Sequence, residues 1–397
     1  MSVGTPFHAR TEPLNRKKQW REWSGFFASS VYADQHDIEY NAIREAAALI
    51  DVSPLFKYEV TGPDAARLVD RVITRDATRL AIGQVYYTPW CDESGKVVDD
   101  GTIHRLAPDR YRWTAADPQL RWLRQNAVGL DVAIEEMTER IAALALQGPR
   151  SREVLEAATG EPFADLRYFR RRPATIRSTD VDVSRTGYTG DLGYELWVDA
   201  AEAVGVWDAV MEAGRPFGIR PAGMLALDVA RLEAGLILLE VDYTSARHAM
   251  NADQAYSPFE IGLGRLVDLG KAEFVGKRAL EAEARAGGPA RRLVGLELEW
   301  AGIEALHAAQ DLPPAVPAAV SRNPVPVFDV AGRQVGRATS IGWSPILKAA
   351  IALASVAASH EAIDSRLAVE WSVEGRRGRV NARVVGLPFL DLPRKRA

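Results

Sequence analysis

The chain reads as a multidomain α+β protein, and three observations predict that class. At 397 residues it is longer than one simple core supports, so two or three domains are expected. Segments of helical period alternate with strand-like runs as far as Gly287-Gly288-Pro289. That punctuation marks a break, and the region after it is β-rich, which predicts a C-terminal β-barrel-like domain.

Taken in order, residues 1–35 are mixed and rich in Trp, Phe and Tyr, so irregular structure lining a pocket is expected. Helical period covers 37–49, and Ile50-Asp51-Val52-Ser53 opens a strand that continues through 57–60. Thr61-Gly62-Pro63-Asp64 is a turn into a helix at 65–73. Strands at 83–90 and 97–105 form a hairpin around Ser94-Gly95. A helix at 122–127 precedes a buried strand at 142–147, and Pro149 starts a helix that runs to 158. Further helices fall at 204–212 and 223–233. The C-terminal region carries a Pro-rich loop, Pro313 to Pro326, and strands at 292–299, 335–340, 350–356 and 379–385.

Composition narrows the function classes. Apolar content of 47% with 26% charged residues is that of a soluble globular protein. A net charge of −4 gives no electrostatic case for nucleic acid or an anionic membrane. The single cysteine, Cys91, excludes an intramolecular disulfide and a cysteine-rich metal site, and it fits a reducing, cytoplasmic location. No apolar signal core opens the chain, and the apolar run at 349–358 is too short to span a bilayer. No spaced His, Cys and Glu set argues for a metal, and no G-x-G-x-x-G follows a strand, so neither a metal nor a nicotinamide or flavin domain is expected.

The most informative stretch is 184–198, SRTGYTGDLGYELWV. Gly187 and Gly190 flank Tyr188, and Gly193 precedes Tyr194-Glu195-Leu196, which reads as strand, tight glycine turns, strand. Tyr188 and Glu195 either face one site or are exposed residues of an ordinary hairpin; the residues alone leave both open. The second constellation is 86–104, YYTPWCDESGKVVDDGTIH, where Asp99 and Asp100 are adjacent on a strand. Strand neighbours point to opposite faces, so one carboxylate can face a pocket while the other faces solvent or caps a loop. Two surface acids at a hairpin end fit the pattern as well.

These motifs resemble the T-protein (aminomethyltransferase) family of the glycine cleavage system. R-T-G-Y-T-G-x-x-G-[FY]-E is the family signature, and N-x-x-G-x-x-x-D-D matches 92–100 with Asp92 in place of the asparagine. Asp51-Val52-Ser53, Leu227-Asp228-Val229-Ala230-Arg231-Leu232-Glu233, Ser257-Pro258-Phe259-Glu260-Ile261-Gly262-Leu263, Phe274-Val275-Gly276-Lys277 and Thr339-Ser340-Ile341-Gly342-Trp343-Ser344-Pro345 follow in the family's order. The resemblance implies a three-domain, clover-like arrangement around a central folate cavity. Its domains would be 1–58 with 141–243, 59–140 with 244–279, and a barrel-like 280–397. It implies tetrahydrofolate as the one-carbon acceptor, Asp100 as the catalytic carboxylate near N5, and Glu195 on the aminopyrimidine edge. Tyr87, Tyr168 and Tyr188 become pocket walls.

Departures from the family bear on the other substrate. The arginine that opens the family's R-D-x-x-R-L-E is Leu227 here, and leucine supplies no cation. The family's asparagine in V-N-A-A is Thr114, and the glycine of its T-S-G is Ile341. This pattern resembles the tetrahydrofolate-dependent demethylases related to T-protein, which act on methoxy aromatics or on dimethylsulfoniopropionate, and it implies transfer of a methyl group from a small O-, N- or S-methylated substrate to N5 of tetrahydrofolate. Tyr32, Trp90, Leu227, Tyr243, Arg247 and His248 are candidates for the second-substrate pocket. His36, His104 and His248 are the histidine candidates, each with an ordinary structural reading beside the functional one. The alternatives are a glycine-cleavage aminomethyltransferase that meets a lipoyl carrier protein, and a non-catalytic folate-binding assembly protein.

Overall fold

The computed structural model describes residues 2–396, so Met1 and Ala397, the outermost residues of the expected first and third domains, lie outside the described residues. The chain forms two compact units. The first takes the chain up to Trp90, then Asp99–Ala230, then Leu392 onward; the second takes Cys91–Val98 and Arg231–Asp391.

Three sheets build the first unit. The N-terminal one orders β1 (Val3–Gly4), β2 (Trp20–Trp23) and β3 (Phe26–Ser29) as β1-β3-β2, with a helix at His8–Leu14. This corrects the expectation of irregular structure over 1–35. Ser24 and Gly25 join β2 to β3 with φ of 49° and 85°. Two positive φ values make the two-residue turn whose twist matches the flanking strands.

The helix expected at 37–49 ends earlier, spanning Asp37–Glu45, and Ala47-Ala48-Leu49 already belongs to β4 (Ala47–Asp51). Those residues are wholly buried, and a continuous apolar run has no period that separates helix from strand. The single strand expected from 50 to 60 is also two, because Val52–Leu55 turns the chain before β5 (Phe56–Thr61). Asp51 holds that turn by accepting from the Ser53 amide at 3.0 Å and the Thr5 hydroxyl at 2.6 Å.

The second sheet adds β6 (Val85–Cys91), β7 (Val97–Ala107), β8 (Arg110–Ala115) and β9 (Ala133–Glu136), ordered β6-β7-β8-β5-β9. The third adds β10 (Ile141–Gln147), β11 (Arg171–Ile176), β12 (Thr179–Ser184), β13 (Gly193–Asp199) and β14 (Ile219–Pro221), ordered β11-β12-β13-β10-β4-β14. On β10 and β13 the residues Leu144, Leu146, Tyr194, Leu196 and Val198 enter a core shared with helices Ser151–Thr159 and Ala203–Gly214. Alternation then turns Glu195 and Trp197 to the opposite face of the sheet.

One buried lysine sets a pH dependence. Lys57 on β5 has no exposed surface, and its Nζ donates to the carbonyls of Ser53 at 2.6 Å and Leu55 at 2.7 Å. Burial pushes its amine down to about 7, with nearby Asp51 pulling the other way. A neutral amine has two hydrogens, and both are used. The unfolded chain binds a proton at this group up to about 10.5, so the folded state gains stability as pH rises from about 7. Relative to Lys57→Met, the native chain is expected to gain about 2–3 kcal/mol between about pH 7 and 9.5. Native-state hydrogen exchange of the β5 amides measures it; a constant gap would mean that the lysine is charged in place.

The second unit contains the helix Lys277–Arg285 and a closed barrel. Its strands β15 (Arg291–Leu298), β16 (Val325–Phe328), β17 (Gln334–Ser344), β18 (Ala349–Ala357), β19 (Arg366–Val373) and β20 (Arg376–Val385) run β15-β18-β17-β16-β19-β20, and β15 pairs with β20. Closure leaves no sheet edge. Alternate residues such as Leu296, Leu298, Ala352, Ala354, Val380 and Val384 fill the interior. The barrel-like C-terminal domain expected from sequence is therefore a closed barrel. No helix among the described residues is long and apolar enough to cross a membrane.

Candidate functional site

The two adjacent carboxylates of β7 have different surroundings. Asp99 is wholly buried and accepts from the amides of Asp100 (2.7 Å), Ala116 (3.1 Å) and Asp117 (2.9 Å) and from Gln119 Nε2 (3.2 Å). It ties the end of β8 to β7. Burial and the neighbouring Asp100 push its carboxyl up, against amide donors that favour the ionised form. Asp100 is half-buried on the other face, and the Tyr87 hydroxyl of β6 donates to its Oδ2 at 2.7 Å. Gly101 makes this placement possible, because a Cβ there would lie 2.0 Å from the Thr114 carbonyl oxygen.

Glu195 projects from β13, opposite Ala145 of β10 and Ser184 of β12. The Thr186 hydroxyl donates to its Oε2; among the described residues its Oε1 has no hydrogen-bond partner. Burial raises its carboxyl, while Thr186 and the Arg112 cation lower it. Thr186 Oγ1 also lies 2.8 Å from Ser184 Oγ, which accepts from Trp197 Nε1 at 3.1 Å. His104 meets Trp197 edge-on with centroids 5.4 Å apart, and the Arg112 guanidinium stands 5.1 Å from the Trp197 ring. Arg112 is fixed by Asp182 at 2.7 Å. The face of β7 and β8 carrying Thr102, His104 and Arg112 therefore packs on the face of β13 carrying Glu195 and Trp197. Alternation adds Asp100 to the same face of β7.

The loop between β12 and β13 is not a pair of tight glycine turns. Of the glycines at 187, 190 and 193, the last of which opens β13, only Gly190 has positive φ, 71°. Gly187 and Gly193 are needed for space, since a Cβ would come within 2.1 Å and 2.3 Å of the Gln147 side chain. Gln147, buried at the end of β10, donates to the carbonyls of Thr186 and Tyr194 at 3.3 Å and accepts from Thr189 Oγ1 at 2.7 Å. Gln147, Thr186 and Arg112 escaped the sequence reading. The one available signal was a polar glutamine ending an otherwise apolar strand.

The other candidates are spread more widely. Tyr188 is half-buried in the same loop, and Tyr168 packs edge-on against Phe169 at 4.5 Å. Tyr32 is buried, and burial with Asp51 and Glu39 pushes its hydroxyl well up. Trp90 is a core residue, wholly buried, edge-on to Trp113 at 5.0 Å, with its Nε1 donating to Gln119 at 3.3 Å. Leu227 is 8% exposed, and next to it Asp228 pairs with Arg21 at 3.1 Å. In the second unit Tyr243 is buried, and Arg247 and His248 are exposed, with His248 Nδ1 3.0 Å from Glu240. Burial beside the cations Arg112 and Arg171 pushes His104 well below the usual imidazole range, so it is a neutral packing residue. His36 is lowered by burial, with Asp37 and Asp228 opposing.

A carboxylate with one oxygen held and one without a protein partner suits a two-donor heterocyclic edge such as the aminopyrimidine of a folate. The polar residues between the two sheets fit that group.

Comparison with known proteins agrees with this architecture. The GCVT N-terminal domain family matches residues 11–271, and the glycine cleavage T-protein C-terminal barrel domain matches 291–391. The chain is 36% identical to trimethylamine-oxide aldolase of Ruegeria pomeroyi across 98% of its own length, but it spans only 47% of that relative. It is 37% identical to an aminomethyltransferase of Moorella thermoacetica, with 90% of each chain covered. The crystal structure of the glycine cleavage system aminomethyltransferase T from Bartonella henselae superposes with a TM-score of 0.82 at 24% identity, covering 98% of this chain and 99% of that one. With both domain patterns matched in order along most of its length, the chain belongs to the glycine cleavage T-protein family.

Proposed function

We propose that the protein is a tetrahydrofolate-dependent methyltransferase that demethylates a small O-, N- or S-methylated substrate, with methylated nitrogen favoured. The observation that carries this reading is Leu227, an apolar, nearly buried side chain where the family's cation would be, in a chain that keeps Asp100, Tyr87 and Glu195. The similarity to a relative named for trimethylamine oxide supports a methylated-amine donor. Tetrahydrofolate, when bound, supplies N5 as the methyl acceptor. Glu195 would hold the pterin through its unshared oxygen, and Tyr168 and Tyr188 would wall it. Asp100, steadied by the Tyr87 hydroxyl, would align the acceptor and take the N5 proton as the methyl carbon bonds to N5 and its bond to the donor's O, N or S atom breaks; that proton would pass to a departing oxygen or nitrogen, while a sulfonium would leave as a neutral sulfide. Because the displacement is in line, alignment supplies much of the acceleration. Tyr32 and Leu227 are the proposed second-substrate residues of the first unit; Tyr243, Arg247 and His248 are candidates within the second.

The similarity to aminomethyltransferases sustains a second reading, in which a lipoyl carrier protein delivers an aminomethyl group. Two parallel reactions separate them. Enzyme and tetrahydrofolate are incubated with a panel of methyl donors, and 5-methyl-tetrahydrofolate is measured by mass spectrometry. The second reaction supplies an aminomethyl-lipoyl carrier, and methylene-tetrahydrofolate and ammonia are measured. Product from a small donor is expected. Product only with the carrier would make Leu227 a tolerated variation, and binding without turnover in either would favour the assembly-protein reading. Glu195→Gln is expected to weaken tetrahydrofolate binding about 30- to 100-fold, the loss of a charge-assisted contact. Titration calorimetry reads it, and unchanged affinity would reduce Glu195 to a hairpin residue.

A further inference from the structure

The loop joining β12 to β13 carries Tyr188 and leads into Glu195, yet it has no strand pairing of its own over 185–192. Gln147 supports it from within. Its far turn is held by Asp191, whose side chain is wholly buried. Two arginines share that carboxylate. Arg44 reaches Oδ2 at 3.2 Å and also donates to the carbonyls of Thr189 at 3.0 Å and Ala230 at 3.1 Å. Arg394 lies 203 residues away along the chain. It donates through Nε to Oδ1 at 2.7 Å and through Nη2 to Oδ2 at 2.9 Å. The same Nη2 donates to the Arg44 carbonyl at 2.9 Å.

The neighbouring residue extends the contact. Lys395 Nζ stands 5.8 Å from the Tyr168 ring, and its carbonyl accepts from Arg185 Nη2 at 3.5 Å. Arg185 opens the signature loop and donates through Nη1 to the Leu166 carbonyl at 3.0 Å. The segment from Leu392 onward, part of the first unit, thus meets the loop at its far turn, at its base and at Tyr168.

We propose that Arg394 is a positioning residue of the folate site: its two-pronged bond to Asp191 latches the 185–192 loop, and with it Tyr188 and the Thr186 hydroxyl that donates to Glu195, in the conformation that accepts the ligand. This rests on the reading of Glu195 as a ligand-binding carboxylate. The physical division of labour favours a latch over a structural pillar. Arg44, 2% exposed, already neutralises Asp191 inside the fold, so losing Arg394 strands no buried charge. The Arg394 side chain is 38% exposed, so water and salt reach its bond. Planar fork geometry matters at such a site, and lysine keeps the charge without the fork.

The test measures tetrahydrofolate binding to the intact chain and to Arg394→Gln, Arg394→Lys and Glu195→Gln between 20 and 500 mM NaCl, about a fivefold change in Debye length. Arg394→Gln is expected to weaken binding about 10- to 30-fold, raising KM for folate far more than it lowers kcat. Arg394→Lys should recover part of the loss. The native affinity should fall with salt more steeply than that of Arg394→Gln. Hydrogen exchange should quicken in peptides spanning 185–192 and stay unchanged in β10. Affinity within twofold for Arg394→Gln, with Glu195→Gln weakened, would overturn the latch and leave the site reading standing. Unchanged affinity in Glu195→Gln would overturn both. Quickened exchange throughout the unit would show a structural pillar and overturn the latch as well.

Discussion

Asp100→Asn is expected to lower turnover by about 10²- to 10⁴-fold while folate affinity stays within about threefold. The substitution keeps the size of the side chain and an oxygen that accepts from the Tyr87 hydroxyl, now 2.7 Å away. It removes the charge that would align the acceptor and take its proton. Steady-state kinetics at saturating folate, with binding measured separately, divide the two effects. Asp99→Asn is the control, and it should fail differently. Four N–H donors surround Asp99, from Asp100, Ala116, Asp117 and Gln119. An amide in its place turns one of its own N–H groups against another donor, so stability falls first. Full turnover in Asp100→Asn with an inactive but folded Asp99→Asn would transfer the catalytic role to the buried carboxylate.

Asp242→Ala is expected to destabilise the second unit by about 3–5 kcal/mol. Asp242 and Arg231 are both wholly buried and joined at 2.8 Å. The Leu238 amide also donates to Asp242 Oδ2 at 2.9 Å. On the other oxygen the hydroxyls of Thr339 and Ser340 donate at 2.7 and 2.6 Å, and Arg231 Nη2 donates to Ser340 Oγ at 2.9 Å. Removing the carboxylate leaves a buried guanidinium without its counter-ion and the Ser340 hydroxyl without its acceptor, while Thr339 keeps the Leu353 carbonyl at 3.3 Å. Because the chain has two units, a single global transition is not assured, and hydrogen exchange of peptides from β17 localises the loss. Pairing Arg231→Met with Asp242→Ala should recover part of it, since the stranded charge is then gone. Native exchange in β17 of Asp242→Ala would mean that water has replaced the carboxylate.

That network also explains why the motif order in the sequence said more about membership than about roles. Arg231 of R-L-E, Thr339-Ser340 and Asp242 meet as structural partners in the second unit. Glu233 of the same motif accepts from Ser344 at 2.6 Å. Their spacing along the chain resembles that of site residues equally well, and only the contacts separate the two. The N-terminal hairpin shows the converse. The aromatic richness of residues 1–35 pointed to an irregular pocket wall, and the structure forms three strands and a helix there.

The sequence by itself determined what local chemistry and pattern carry. Alternation split Asp99 from Asp100, the glycine break marked the barrel, and five of the nine helices among the described residues were located to within about two residues, those at His8–Leu14, Lys277–Arg285 and Trp300–Ala308 being missed. Tertiary structure alone decided which groups those residues meet. It put Gln147 between Gly187 and Gly193, stood Arg112 and His104 on Trp197, and brought Arg394 to Asp191. Each of these joins positions tens to hundreds of residues apart. Periodicity reports only which face of an element is apolar. The identity of the side chain lying against that face is fixed by how strands and helices from distant segments share one core, and no local pattern encodes it.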